Sequence, residues 1–449
     1  MPEPTGPHDR DVTVVGAGLA GCLLACFLAR RGLSVTVYER RSDPRPRDGQ
    51  QAQVERGRSI NLAVSERGLD ALRRIDLELT VMADAIPMRG RMIHSAAGEL
   101  DFQQYSADGR RAINSISRGD LNNALLDAAE SHDGVTIRFD HRLTALDPAT
   151  GAMTFSTPDG DPTIEAGVVI GTDGAGSIVR EQLVAHGLVT ATSDFLDYGY
   201  KELSIPARDG EFALDPHALH IWPRGTSMAI ALPNPDRSFT ATLFWPTTGR
   251  GSFDALSDPT SIIGHFDDVY PDLVTLATDL VDDYQHNPVG VLGTVHALPW
   301  HVTTTPRRGV LLLGDAAHAI VPFYGQGANA AFEDVVVLDR CLDETSGAWP
   351  RAMALFDQRR HEHTDAIARM ALGNFVEMRD KVNSPIYKAR KKVEHALERV
   401  LPGLYVSQYE LVSFSTVPYA DVRRRVLQQQ LAVGGLLAAA VAAGAAFVA

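Results

Sequence analysis

"VTVVGAGLAGCLLACFLARRGLSVTVYER", residues 12–40, decides the fold of this chain. Val12 to Val15 is a short β-branched run, Gly16-Ala17-Gly18-Leu19-Ala20-Gly21 follows, and Cys22 to Arg31 continues at helical spacing until Gly32 stops it. Strand, glycine turn, helix is the order of a nucleotide-binding unit. Gly16 permits the tight turn, Gly18 lets backbone approach a pyrophosphate, and Gly21 lets helix pack on strand. The helix N-terminus adds amide donors and a positive dipole. Ser34 to Tyr38 is a second apolar strand, and it ends in Glu39, where an acid suits a ribose hydroxyl pair. The nucleotide is FAD or NAD(P), and this stretch does not choose between them. No second GxGxxG in strand-to-helix context occurs later, which argues against a separate domain for each dinucleotide.

Two further stretches choose the flavin. Gly167 to Ile170 is an apolar strand running into "GTDGAGSIVR" (171–180), and Val310 to Leu313 runs into "GDAAHAIVPFYGQGAN" (314–329). Both place an Asp beside Gly at the carboxyl edge of a strand, where doubly wound sheets bind ligands. Together with residues 12–40 they resemble the class A flavoprotein monooxygenases, aromatic hydroxylases related to para-hydroxybenzoate hydroxylase. The resemblance implies a bound FAD. Asp315 would hold its ribityl chain, while Pro322, Gly325, Gln326, Gly327, Ala328 and Asn329 would lay main chain under the isoalloxazine ring. Arg118, in "SISRGDL", would sit near the flavin phosphates, and Asp173 would serve the flavin region. Gly16, Gly18, Ala20, Gly21, Glu39, Arg40, Ala63 and Leu143 complete the implied cofactor set. His318 shows no carboxylate partner in the sequence and reads as a brace of its loop rather than a proton carrier.

A more specific resemblance rests on "RGRSINLAVSERG" (56–68), "IPMRGRMIHS" (86–95), "YKELSIP" (200–206), "LHIWPRG" (219–225), "VPFYGQGAN" (321–329) and "GNFVEMR" (373–379). These are similar to the kynurenine-hydroxylating branch of that family, over residues 12 to 415. Tyr324 and Ala328 depart from it, standing where Phe and Met are expected. The implied reaction uses NADPH and O₂ to hydroxylate L-kynurenine beside its ring amino group. That nitrogen already activates the carbon, so the protein need supply no catalytic acid or base, only orientation and exclusion of water. The substrate's carboxylate calls for a bidentate donor and a hydroxyl, which the resemblance assigns to Arg91 and Tyr105. Asn374 and Glu377, three apart on a helical stretch, would face the ammonium and carbonyl. Phe244, Pro322 and Phe323 would wall the ring, with Tyr409 closing the pocket. Core packing is the competing reading for each aromatic, and an ion pair with Asp101 for Arg91. Two alternatives stay open: a hydroxylase of a kynurenine analogue or another aromatic, and a flavin-bearing, membrane-associated interaction protein.

The expected fold class is α/β, a Rossmann-like FAD-binding domain interleaved with a substrate domain built on a mainly antiparallel sheet, followed by C-terminal helices. FAD-binding segments are expected at 1–75, 108–185 and 300–345, substrate-domain segments at 76–107 and 186–299, a helical region at 346–425 with a break at Pro402–Gly403, and an apolar tail at 426–449. The net charge of −14 repels a polyanion, so no nucleic-acid partner is expected. The basic runs Arg359–His361 and Lys388–Lys392 read as solvated helix faces. Three cysteines match neither a disulfide framework nor a metal site, and with no leader at Pro2 to Arg10 a reducing, cytoplasmic setting is expected. His361 and His363 lie two apart on a helix and diverge, so no metal is expected. The tail is uncharged after Arg423-Arg424-Arg425 but rich in Ala and Gly, and reads equally as a membrane-associating segment or a helix packed on the protein.

Overall fold

Val12, Val14 and Val15, Val168 to Ile170, and Val310 to Leu313 are near-continuous apolar runs, the pattern of strands covered on both faces. In the computed structural model they lie at the centre of a six-stranded sheet. Its order is His301–Thr305, Arg308–Leu312, Val168–Gly171, Asp11–Val15, Ser34–Tyr38, Val135–Arg138. All neighbours are parallel except the edge hairpin between the first two. The structure describes residues 11–45, 61–106, 108–381, 384–401 and 404–448. The expected break at Pro402–Gly403 and the first five residues of the 56–68 stretch lie outside them. Helix Leu19–Arg30, whose residues Cys22 to Leu28 are all buried, packs on helices Arg118–Glu130 and Gly327–Glu344. Cys22, Cys26 and Cys341 are free thiols in this core.

The second sheet has seven strands, ordered Gly290–Leu298, Thr190–Ile205, Phe239–Pro246, Met228–Pro233, Ala218–Pro223, Gly90–His94, Leu100–Gln104. It is antiparallel except where Ala218–Pro223 runs beside Gly90–His94. Alternation along Phe239–Pro246 sorts its two faces. Phe239, Ala241, Leu243 and Trp245 pack with Phe266 and Tyr284 of two short helices and with Tyr270, the cap between the first of them and the next, whereas Thr242 and Phe244 face a cavity. The chain crosses repeatedly between the sheets, with strands from 11–38, 135–138, 168–171 and 301–312 in the first and from 90–104 and 190–298 in the second, while Arg142–Asp147, Ala152–Ser156 and Thr163–Glu165 form a three-stranded sheet of their own. A small sheet of Leu62–Val64, Ile113–Ile116 and Ile86–Met88 stands between these excursions.

Helix Trp349–Val376 then passes beside the short turn Pro322–Tyr324 and runs on as a π-helical turn, Glu377–Lys381. Such turns widen a helix locally and collect at functional sites. Helices Pro385–Val400, Gln408–Ser413 and Tyr419–Val448 complete the chain. The apolar tail is thus the continuation of the last helix, which is anchored at its start by buried Tyr419 and Val422. Among the described residues no helix is long and apolar enough to cross a membrane.

Candidate active site

Gly16 ends the first strand at φ +105°, a conformation glycine adopts without strain, and its N–H donates to the Tyr38 carbonyl at 2.8 Å. A Cβ on Gly21 would fall 1.9 Å from the Gly16 carbonyl oxygen, so only glycine lets the helix seat there. At Gly18 and Gly327 the opposite holds, since nothing lies within 4 Å of an added Cβ. These two glycines begin the turns into helices Leu19–Arg30 and Gly327–Glu344, neither of which has a side-chain N-cap or an acid in its first turn. Both therefore present uncapped amide donors beside open space.

That space is a cavity of about 570 Å³. One end is lined by Gly16, Gly18, Ala20, Glu39, Arg40, Ala63, Arg118, Leu143, Asp173, Asp315, Gly325, Gly327 and Ala328. The other end is lined by Arg91, Phe244, Pro322, Phe323 and Tyr409. The structure therefore joins most of the expected cofactor set to five of the expected substrate residues in one chamber. Gly21, Gln326 and Asn329 sit behind its wall. Asn329 braces the loops, accepting from the Ser65 amide at 2.9 Å and donating to the carbonyls of Ala63 at 2.9 Å and Gly325 at 2.7 Å. Gln326 points away from the cavity, accepting from the Tyr419 hydroxyl at 2.8 Å.

Two acids expected at the nucleotide are partly engaged by the protein itself. Glu39 accepts from the Ala17 amide at 2.9 Å and from the Arg41 side chain at 2.8 Å, and although burial opposes its charge, Arg41 and these amides hold its carboxyl below the usual range. It remains at the cavity wall with acceptor capacity to spare. Asp173 departs further from expectation: it accepts from Ser177 Oγ and the amides of Ile178 and Val179, capping helix Ile178–Ala185. Burial raises its carboxyl. His318 does have a carboxylate partner, Asp334 at 2.6 Å, sixteen residues on and so invisible to local reading, and the pair braces the loop.

Arg91 lies on strand Gly90–His94, buried, with no hydrogen-bond partner for its Nε. The Asp101 carboxylate instead accepts from Gln103 at 3.0 Å. The guanidinium lies 4.9 Å from the Tyr409 ring centroid and 5.9 Å from that of Tyr105. Tyr105 and Tyr409 stack at 4.9 Å, and Tyr409 and Tyr324 at 5.7 Å. Burial works against the Arg91 charge, but the hydroxyls of Tyr409, Tyr387 and Tyr105 and the Glu377 carboxylate outweigh it. The Tyr105 hydroxyl is also buried and makes no hydrogen bond of good geometry, although Tyr409 and Arg91 lie beside it, and burial pushes it well above its ordinary pKa. Beyond the Arg91–Tyr324–Tyr409 wall lies a second cavity of about 490 Å³, lined by Tyr105, Asn374 and Glu377 as well. Asn374 donates to the Phe323 carbonyl at 2.6 Å, and Glu377, opening the π-turn, accepts from Tyr387 at 2.9 Å. The expected substrate residues are thus divided between two chambers that meet at Arg91.

The family profile described as an FAD binding domain matches residues 9–250 and 294–371. A kynurenine 3-monooxygenase of Myxococcus xanthus is 49% identical over 411 residues, 91% of this chain and 86% of that protein. One from Dictyostelium discoideum is 42% identical, covering 94% of this chain and 92% of its own. The chain belongs to the kynurenine 3-monooxygenase family. Solved structures agree in fold alone: 2-methyl-3-hydroxypyridine-5-carboxylic acid oxygenase superposes with a TM-score of 0.66 at 20% identity, over 86% of this chain and 96% of that one. The p-nitrophenol 4-monooxygenase PnpA of Pseudomonas putida superposes with a TM-score of 0.65 at 19% identity, over 86% and 93%.

For a member of the kynurenine 3-monooxygenase family, several lining residues went unread in the sequence. Thr172 bonds the carbonyls of Val15 at 3.0 Å and Gly16 at 2.9 Å through its hydroxyl, locking the glycine turn, and it sits inside the quoted 171–180 stretch. Met228 and Ile230 line the chamber beside Phe244, and their alternation along a strand was the available signal. The chamber fits a dinucleotide flavin: two open glycines and two uncapped helix starts at one end, and a wall made of loop main chain beyond them.

Proposed function

We propose that this chain hydroxylates L-kynurenine to 3-hydroxykynurenine as an FAD-dependent monooxygenase consuming NADPH and O₂. The observation that carries the reading is the buried Arg91, its Nε without a hydrogen-bond partner, in the wall shared by the chamber of Gly18 and Gly327 and the second chamber that Tyr105 lines. A buried cation with an unfilled donor is costly unless a ligand anion completes it. An amino-acid carboxylate does so.

Gly16, Gly18 and Gly327 would hold the FAD pyrophosphate and ring against main chain, with Arg118 and Arg40 near the phosphates, Glu39 at a ribose and Asp315 at the ribityl chain. FAD held there would supply the oxygen-transfer chemistry, with NADPH as the reductant. The protein's own residues bind and orient. Arg91 and Tyr105 grip the carboxylate, Asn374 and Glu377 face the head group, and Phe244, Pro322 and Phe323 wall the aniline ring and keep water from it. The same reading divides the chain into FAD-binding segments 1–75, 108–185 and 300–345 and substrate segments 76–107 and 186–299. Mass analysis of the product formed from L-kynurenine and NADPH tests it: the product is one oxygen heavier, with the hydroxyl ortho to the ring amine. NADPH oxidation that L-kynurenine does not stimulate would overturn it.

A further inference from the structure

The loop 314–329 is held from behind by a buried network that the proposed chemistry does not use. Asp334, fully buried in helix Gly327–Glu344, accepts from the Gly314 amide at 3.1 Å, from His318 at 2.6 Å and from Arg360 at 2.7 Å. Arg360 also pairs with Glu333 at 2.6 Å, and Glu333 pairs with Arg67. Arg67 donates to the Val417 carbonyl and lies 3.9 Å from the Tyr419 ring centroid. Tyr419 closes the circuit by donating to Gln326 Oε1 at 2.8 Å. Two guanidinium groups balance two carboxylates, so the charges are paired inside the protein. The network grips the loop at both ends, Gly314 and His318 at one and Gln326 at the other.

Gln326 is the leverage point. It stands between Gly325, which is left-handed at φ +64°, and the first residue of helix Gly327–Glu344, for which it is the N-cap. Its carbonyl accepts the Ala330 amide at 2.8 Å. Fixing its side chain fixes the plane of the peptide that leads into the uncapped helix start. Its Oε1 also accepts from the Ser65 hydroxyl at 3.5 Å, but the shorter bond is donated by the first residue of the C-terminal helix, ninety-three positions away in sequence.

We infer that Tyr419 is a positioning residue for the flavin loop, holding Gln326 and thereby the amides of 325–329 at the cavity wall, so that the C-terminal helix sets how tightly FAD is held. This rests on the reading of 314–329 as the flavin loop. It makes no contact with substrate and lies behind the wall, so its effect passes through main chain.

A double-mutant cycle tests it with purified full-length protein: Tyr419→Phe, Gln326→Leu and the pair, measured by FAD dissociation constant and by hydrogen exchange of the 325–330 amides in FAD-free protein. Each single change weakens FAD binding about fivefold and speeds that exchange by a similar factor, the worth of one buried hydrogen bond. The pair together is weakened about fivefold as well, not the product of two effects, because the Tyr419–Gln326 bond is lost in all three and the longer Ser65 bond to the same oxygen adds little. Gln326→Leu keeps the inference testable if Tyr419→Phe does not fold. Wild-type FAD affinity in both single variants, a lowered melting temperature without a change in affinity, or additive losses in the pair would each overturn the inference. Wild-type protein that binds no FAD would instead overturn the flavin reading itself.

Discussion

The two ends of the chamber recognise their ligands by different means. At the Gly18 end glycines bring main chain to the wall beside Arg40, Arg118 and Asp315, with Glu39 and Asp173 partly or wholly occupied by the protein. At the Arg91 end it is side chains, stacked tyrosines around one buried cation, with Arg91 Nε left open. The first kind of site depends on where main chain lies, and at Gly16 and Gly21 an added Cβ would strike backbone. The second depends on a few polar atoms whose removal leaves the fold intact. Substitutions at the two ends should therefore fail differently, one by losing the cofactor and the other by losing the substrate.

The largest effect is expected at Gly21. Its Cβ would meet backbone, the Gly16 carbonyl, which cannot swing aside, so Gly21→Ala should yield protein that retains no flavin absorbance after gel filtration. Retention of FAD at wild-type affinity would break the contrast at its main-chain end. Next comes Arg91→Met, which should keep the flavin yet lose roughly 100- to 1,000-fold in kcat/KM for L-kynurenine, the cost of an unpaired carboxylate in a buried site.

The seven-stranded sheet carries a response to acid. There His220 is 2% exposed, its ring hydrogen-bonded to His94 at 2.8 Å, and burial pushes it down to about 4 from an ordinary 6.5. The folded state keeps this imidazole neutral while the unfolded chain protonates below 6.5. The stability it contributes is thus full above pH 6.5 and lost as pH falls toward 4, by up to roughly 3 kcal/mol. His220→Gln should flatten the fall in Tm between pH 7 and pH 4.5; an unchanged slope would count against it. The smallest effect is expected for Tyr105→Phe, a loss of about five- to tenfold in L-kynurenine affinity with FAD binding unchanged, for one hydroxyl bond forgone.

The same contrast explains how much was legible in the sequence. The flavin end follows from residues 12–40, 171–180 and 314–329 because main-chain recognition forces glycines to fixed local spacings. The interleaved α/β fold follows too, since its central strands are continuous apolar runs. The Arg91 end gathers residues near 91, 105, 244, 324, 377 and 409 from separate elements, and no local spacing connects them. Only the family resemblance named them. Neither route revealed that Tyr105, Asn374 and Glu377 face a second chamber, that the Asp173 carboxylate caps a helix, or that Asp334 sits opposite His318. Each depends on chain segments meeting in three dimensions, or on a side chain choosing a backbone partner over a ligand.

The central claim is that a buried guanidinium at the end of a flavin chamber clamps an amino-acid carboxylate. Titration of the purified yellow protein with L-kynurenine and with its decarboxylated amine, followed by perturbation of the flavin spectrum, tests it directly. The account predicts that the wild type binds L-kynurenine at least roughly 100-fold more tightly than the amine and that Arg91→Met erases this preference. Equal affinity of the wild type for the two compounds, or a preference that survives in Arg91→Met, would contradict it.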